Sequence, residues 1–390
     1  MLALHAVSKP MLGVLVSTAK GSVPLSELSF CRRLIQIGRQ LGIHVAAFNS
    51  ESIHPEAGRI DGFVHHDGAW RACSFPLPDI IYNRCCNYRE GKTARSQLLR
   101  MASILECPCT FLSGGLPGKW GVYSSLRTDP LLSPYLPLTM LFNKDRLRNL
   151  LSRQQGVFLK PQSGMQGKGT LCLQEHADSD DSPFSLQGRD HSNQTFFHTY
   201  SNFNEAYDWI SAFIRERPYI IQPFLDLHSS TGRPYDVRAL VQKDGTGEWK
   251  LTGTAVREGE PGSLTSNLHG GGTAREVAGY LQNQFGTQPS HSILKKLNQL
   301  SMYIPPVLEA RYGRLGELGI DFGIDRSGQL WILEINSKPG RAVFTEIGDR
   351  SGAIAAAARP LLYARYLMRR HCPAAIHTGT IRHFPSFQLS

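Results

Sequence analysis

Two largely apolar runs near the start of the chain, residues 11–16 and 43–48, flank a stretch from Leu25 to Leu41 whose apolar residues recur at helical spacing and which stops at Gly42. Strand, helix, strand is the start of a parallel α/β layer, so the fold class expected is α/β. Gly62-Phe63-Val64 and Asp79-Ile80-Ile81-Tyr82 are expected to continue that layer. The punctuation Gly114-Gly115-Leu116-Pro117-Gly118 then marks a boundary, giving a small N-terminal α/β domain over residues 1–115.

Further along, residues 138–151 carry helical spacing, and 157–160 read as a strand entering a glycine-rich turn. Residues 175–201 are rich in Asp, Ser, Asn and His with little periodicity and are expected to form a long surface loop. A helix over 205–215, strands over 219–222, 237–242 and 249–256, a loop at 270–272 and a helix over 292–310 come next. Residues 319–324 and 329–335 form an apparent hairpin, and the tail beyond Arg370 is expected to be loosely ordered.

Composition sets outer limits. With 390 residues, 41% hydrophobic and 19% charged, the chain can build more than one core, which excludes wholesale disorder. The excess of 42 Lys and Arg over 32 Asp and Glu favours a polyanion such as a nucleotide, but no run of five basic residues and no RRM, KH or zinc-finger signature accompanies it. Nucleic acid is therefore not an expected partner. The eight cysteines contain no matched CxxC pairs, so reduced thiols rather than structural zinc are expected. No stretch of about 18 apolar residues or signal-type segment occurs, so no membrane span is expected and a soluble cytoplasmic protein is.

Chemistry concentrates in three places. In Lys160-Pro161-Gln162-Ser163-Gly164-Met165-Gln166-Gly167-Lys168-Gly169 a strand-ending lysine meets a turn in which Gly164, Gly167 and Gly169 let backbone N–H groups approach phosphate oxygens, and Lys168 adds a second cation. It is not a Walker A loop, because GxxxxGK[ST] is absent. In the hairpin, a four-residue connection Asp325-Arg326-Ser327-Gly328 would set Ile324 opposite Gln329 and Asp321 opposite Ile332. Asp321, Glu334 and Asn336 would then share a face, with Asp321 and Glu334 diagonal neighbours able to offer hard oxygens to Mg²⁺. Trp331, Leu333 and Ile335 would supply the apolar face, and Asp325 is expected to serve the turn. Third, Arg238 and Arg257 sit at strand positions from which they could neutralise a transferring phosphoryl group. Tyr82-Asn83-Arg84, ending an N-domain strand, is a candidate substrate contact, with a buried tyrosine and a solvated arginine as the plain alternative.

The order of these elements over residues 116–350 resembles the ATP-grasp superfamily. Lys119-Trp120-Gly121-Val122-Tyr123 is similar to its early lysine helix, with Leu136-Pro137-Leu138-Thr139 as sequel, Lys160 as its second lysine, and Ile221-Gln222-Pro223-Phe224-Leu225 as the hinge facing adenine. Ser266-Asn267-Leu268-His269 with Gly271-Gly272, and Glu334-Ile335-Asn336-Ser337-Lys338-Pro339-Gly340, are similar to stretches of RimK-type glutamate ligases, although Thr265 and Gly270 stand where those carry arginines. Over nearly the whole chain, through Pro78-Asp79-Ile80-Ile81-Tyr82-Asn83-Arg84, the Lys119-Trp120 helix, Leu136–Thr139 and the Lys160 loop, it resembles the YheC/YheD-type endospore coat-associated proteins. The resemblance implies an ATP-grasp fold with a small subdomain over 116–225, a large one over 226–370 and a tail over 371–390. It further implies ATP and Mg²⁺ as cofactors. Lys119, Lys160, Gly164, Gly167, Lys168, Gly169, Gln222, Pro223, Phe224, Leu225, Asp236, Ser266 and Asn267 would bind the nucleotide, and Asp321, Glu334 and Asn336 the metal. Arg257 and Arg238 would be catalytic. The implied activity is a carboxylate–amine ligase working through an acylphosphate, associated with the endospore coat, on unidentified acids and amines with a peptide or coat component among the candidates. The alternative is a nucleotide-binding coat structural or assembly protein without turnover.

Overall fold

The structure, a computed structural model, describes residues 10–371 apart from 155, 165–166, 177–182 and 267–270. Asn267 and the chain from 372 onward lie outside the described residues. The chain divides into two compact units, one formed by the chain up to Leu112 with Lys243–Glu248 and the chain from Ala357 onward, the other by Ser113–Gln242 and Trp249–Ala356.

In the first unit the elements run β1 (Met11–Leu15), α1 (Leu28–Gln40), β2 (His44–Phe48), β3 (Ile53–His54), β4 (Arg59–His66), β5 (Ala69–Phe75), β6 (Ile80–Asn83), α2 (Tyr88–Ile104) and β7 (Thr110–Phe111). Strands β2, β1, β6 and β7 are parallel neighbours, as strand–helix–strand demands. The expectation that 62–64 continues the parallel layer fails: β4 runs antiparallel to β2 and forms a hairpin with β5. Its turn is Asp67-Gly68, both at positive φ, the two-residue connection that closes antiparallel strands. Helix α1 buries Cys31, Leu34, Ile35 and Gly38 at helical spacing. Leu361, Tyr363, Ala364, Leu367 and Met368 belong to the same core cluster as Leu12, Val14 and Leu34.

The second unit begins with α3 (Lys119–Leu126), β8 (Met140–Leu141), α4 (Lys144–Leu151), β9 (Gly156–Pro161), β10 (Leu171–Glu175), β11 (Phe184–Arg189), β12 (Thr195–Tyr200), α5 (Phe203–Ile214) and β13 (Tyr219–Pro223). The sheet order is β12-β11-β10-β9-β13-β8. Residues 138–151 are thus a short strand and then a helix, which starts where the Asn143 side chain accepts from Arg146 N at 2.8 Å. The surface loop expected over 175–201 is also corrected, since β11 and β12 lie within it. Phe184 and Leu186 alternate into the core, whereas β12 is an edge strand whose mixed polar and aromatic residues stay largely exposed and leave no clean period. Leu147, Leu150, Phe203, Ala206 and Ile210 cover one face, packing on Val157, Leu159, Leu171, Leu186 and Ile221. Because strand side chains alternate, Lys160, Gln222 and Arg189 fall on the opposite face.

The unit continues with β14 (Tyr235–Lys243), β15 (Trp249–Glu258), β16 (Thr273–Arg275), α6 (Val277–Phe285), α7 (Thr287–Tyr312), β17 (Glu317–Ile324), β18 (Leu330–Asn336), α8 (Ala342–Glu346) and the start of α9 (Arg350–His371). The sheet order is β16-β15-β14-β17-β18. Val237, Ala239, Ile320, Phe322 and Ile324 pack against α7, which leaves Asp236, Arg238, Gly319 and Asp321 on the other face.

The β17–β18 hairpin differs from expectation in register. Asp325 N donates to Gln329 O at 3.1 Å, so the loop proper is Arg326-Ser327-Gly328, with Gly328 at φ +84°, and Ile324 pairs with Leu330. That one-residue slip alone would turn Glu334 away from Asp321. A β-bulge restores it: Phe322 pairs with Ile332 but Asp321 pairs with Glu334, so Leu333 has no opposite number. Accordingly Ile335 joins the core as expected, but with Leu330 and Ile332 in place of Trp331 and Leu333. Asp325 does serve the turn, its carboxylate accepting from Ser327 N, Gln329 N and Trp331 Nε1 at 2.9–3.1 Å.

Candidate active site

Lys160 is the pivot. Near the end of β9 it is 7% exposed, and its ammonium donates to the Leu333 carbonyl at 3.0 Å. The bulge explains the partner, because the residue skipped by the ladder offers a main-chain oxygen to a side chain. Burial pushes the Lys160 ammonium down to about 8; Glu334 and Asp321 oppose the shift and Lys119 adds to it. Lys119, the first residue of α3, donates to Gly164 O at 3.2 Å and lies 3.3 Å from Glu334 Oε1. The two predicted lysines and one predicted metal ligand thus converge.

They border a cleft enclosing about 410 Å³, counted to its open mouth. Val122, Leu126, Leu136, Ile220 and Ile332 make its apolar wall, and Gln222, Thr139, Lys160, Lys119 and Glu334 its polar lining. The lining suits a ligand with one flat apolar end and one charged end. Gln222 donates to Thr139 Oγ1 at 2.7 Å, and Thr139 donates to Pro137 O at 2.9 Å. Pro223 ends β13 opposite Val157, Phe224 and Leu225 lie beyond the strand, and none of the three is part of that lining; Phe224 N is spent on Gly156 O at 2.9 Å.

On the five-stranded sheet the acids and arginines interlock. Arg238 and Asp321 are cross-strand partners joined by two hydrogen bonds, the Nη2–Oδ2 one at 3.0 Å. Arg257 grips Asp236 at 2.7 and 2.6 Å and reaches Asp321 Oδ2 at 3.0 Å. Ser266 Oγ adds a 2.5 Å bond to Asp236. Burial pushes the Asp321 carboxyl up, but Arg238 and Arg257 outweigh it and hold the group below the usual carboxylate range. For Asp236 burial wins, with the Asp321 charge on the same side against Arg257, and its carboxyl is raised. Asp236 and Ser266, expected at the nucleotide, are therefore engaged in setting Arg257.

Magnesium asks for hard oxygens, commonly one or two carboxylates plus phosphate oxygens. Asp321 and Glu334 are direct partners and Asn336 is two residues on from Glu334, so this donor set fits that role. Among the described residues no group of three His, Cys, Asp or Glu gathers to hold a metal by itself.

The glycine loop joins β9 to β10. Gly167 and Gly169 lie at φ +71° and +73°, and Gly164 and Lys168 are exposed. Gly169 O accepts from the Tyr219 hydroxyl at 2.8 Å, an anchor given no weight in the sequence because Tyr219 reads simply as a strand residue. In the other unit, Arg84 is not solvated: 2% exposed, it donates to both Glu27 carboxylate oxygens at 2.9 and 3.1 Å and lies over Phe30 and Tyr82.

The family described as YheC/D like ATP-grasp matches residues 109–367. The chain belongs to that family. Its similarity extends to the endospore coat-associated proteins of Bacillus subtilis (strain 168): 30% identity to YheC over 321 residues, 81% of this chain and 86% of that protein, and 27% to YheD over 371 residues, 93% and 79%. Two solved structures share the architecture. D-cycloserine synthetase DcsG aligns at TM-score 0.53 and 12% identity over 92% of this chain and 99% of that one. D-alanyl-alanine synthetase A from Vibrio cholerae aligns at 0.51 and 13% over 94% and 99%. At such identities the likeness speaks for the fold alone. Membership of an ATP-grasp family implies ATP binding, and Lys119, Lys160, Glu334 and the apolar wall sit where this YheC/D-like chain has its cleft. Among the described residues no helix is long and apolar enough to cross a membrane.

Proposed function

We propose that the chain binds ATP with magnesium in the cleft beside Lys160 and acts as a carboxylate–amine ligase, in association with the endospore coat as the names of its relatives suggest. The observation that carries the reading is the convergence of Lys160, Lys119 and Glu334 on one cavity. When bound, MgATP supplies the phosphoryl group that turns a carboxylate into an acylphosphate open to an amine. Asp321, Glu334 and Asn336 would hold the metal, Lys119, Lys160 and the glycine loop the phosphates, and Gln222 with the apolar wall the base.

The chain's own residues then act by position and charge. Lys160 is held dry and fixed on Leu333 O, so its charge acts at low dielectric. Arg238 and Arg257 are held in place by paired hydrogen bonds from their Nε and Nη2 to Asp321 and Asp236, which fixes both cations beside the metal-binding acids. No side-chain nucleophile is required. A second reading keeps nucleotide binding and drops turnover; it is favoured by the ion pairs that already engage Glu334 and Asp321. Incubation with MgATP and a panel of acids and amines separates the two. The ligase reading expects ADP and an amide that Glu334→Ala fails to make; saturable ATP binding with no ADP under any pairing favours the second.

A further inference from the structure

Arg189, the last residue of β11, is 5% exposed. Its Nε has no hydrogen-bond partner, and the bond recorded for its guanidinium is a long one, Nη1 to Asn193 Oδ1 at 3.3 Å. Among the described residues no carboxylate pairs with it. An arginine cannot shed its proton, so burying it without a counter-charge is costly and points to an anion that the described residues do not supply.

The register says where that anion lies. Leu159 pairs with Leu171 and Leu171 with Gly188, while Arg189 N donates to Thr170 O at 2.9 Å. Lys160, Thr170 and Arg189 therefore form one row across three adjacent strands, about 10 Å from end to end. A Cβ on Gly188 would strike Phe196 and Leu171, which places Gly188 on the helix-covered face and Arg189 on the opposite one, with Lys160. The glycine loop springs from this row, and Thr170 Oγ1 donates to Gly167 O at 2.8 Å. Two cations thus flank the root of a loop whose backbone suits phosphate.

We infer that Arg189 is a phosphate-binding residue, pairing with the polyphosphate of the nucleotide at the far end of the row from Lys160. The inference rests on the nucleotide reading and adds a contact from the segment whose sequence reads as a surface loop. Three ligands test it by calorimetry: MgATP, inorganic tripolyphosphate and adenosine, against wild type, Arg189→Gln and Arg189→Lys. Arg189→Gln is expected to weaken MgATP and tripolyphosphate about tenfold or more and leave adenosine unchanged, with Arg189→Lys in between. Its ligand-free melting temperature is expected to match or exceed wild type, since an uncompensated charge has gone. Unchanged tripolyphosphate and MgATP affinity in Arg189→Gln would overturn the inference and leave the nucleotide reading standing. A lower ligand-free melting temperature would also overturn it by making Arg189 a structural group. Absence of MgATP binding to folded wild type would remove the nucleotide reading, and the inference with it.

Discussion

At the scale of single residues, Lys160 makes the sharpest statement, because its environment ties binding and stability to pH with opposite signs. Its ammonium titrates near 8 in the folded chain, against 10.5 as the ordinary value. Between those values the unfolded chain holds the proton that the folded chain has lost, so Lys160's contribution makes ligand-free stability rise with pH across that window. Nucleotide affinity goes the other way, since the charge facing the phosphates disappears. Titrations should show MgATP affinity falling above pH 8 by up to about tenfold per unit, and Lys160→Met should be weaker throughout and flat over the same range. A wild-type affinity that stays constant to pH 10.5 would deny the lysine this role. Lys160 itself was legible in the sequence as a strand-ending lysine before a glycine turn. Its partner was not, because a main-chain carbonyl 173 residues away carries no side-chain signature. Arg189 was hidden for a different reason: within a segment read as loop, an arginine reads as solvated.

At the scale of elements, the β17–β18 hairpin and the glycine loop carry the site. The hairpin's existence and its turn residue were readable from turn chemistry, and Asp321 and Glu334 share a face as expected only because two one-residue shifts add to an even number. The pairing was not readable, because a three-residue loop and a bulge at Leu333 each shift it by one, and a bulge is set by what its freed carbonyl binds. The β4–β5 hairpin had its Asp-Gly signal in plain view, but strand order cannot be read from a run of short strands. Gly319 is where tight packing beside the acids can be tested. A Cβ there would lie 2.7 Å from Pro339 Cβ and 3.4 Å from Arg238 Nη1. Gly319→Ala should cost about 1–3 kcal/mol in urea denaturation and loosen the Arg238–Asp321 fork; an unchanged midpoint would show that the neighbours can yield. In the loop, Gly169 combines φ +73° with a Cβ position 2.8 Å from the Tyr219 hydroxyl. Gly169→Ala should lose about 1–2 kcal/mol from the left-handed backbone and weaken tripolyphosphate more than adenosine. Equal weakening of both would mean that the loop does not address phosphate.

At the scale of the molecule, the first unit is completed from the far end of the chain. Leu361, Tyr363, Ala364, Leu367 and Met368 are in its core cluster, with Leu361 fully buried. Leu361→Ala should therefore destabilise by about 2–5 kcal/mol, and a chain ending at residue 356 should expose the apolar side chains that these residues cover. A truncated chain with native melting behaviour would contradict that. The helix escaped the sequence reading because Ala-rich turns and Pro360 blur its apolar period. The central claim for the whole protein is that Lys119, Lys160, Asp321 and Glu334, drawn from four elements, form one magnesium-dependent nucleotide site. The most direct measurement is calorimetric titration of ATP into the full chain with magnesium and with EDTA, in wild type, Lys160→Met and Glu334→Ala. The account predicts saturable binding to wild type, a marked loss with EDTA, loss of most affinity in Lys160→Met, and loss of the magnesium dependence in Glu334→Ala. Folded wild type that takes up no ATP, or variants that bind it as wild type does, would contradict it.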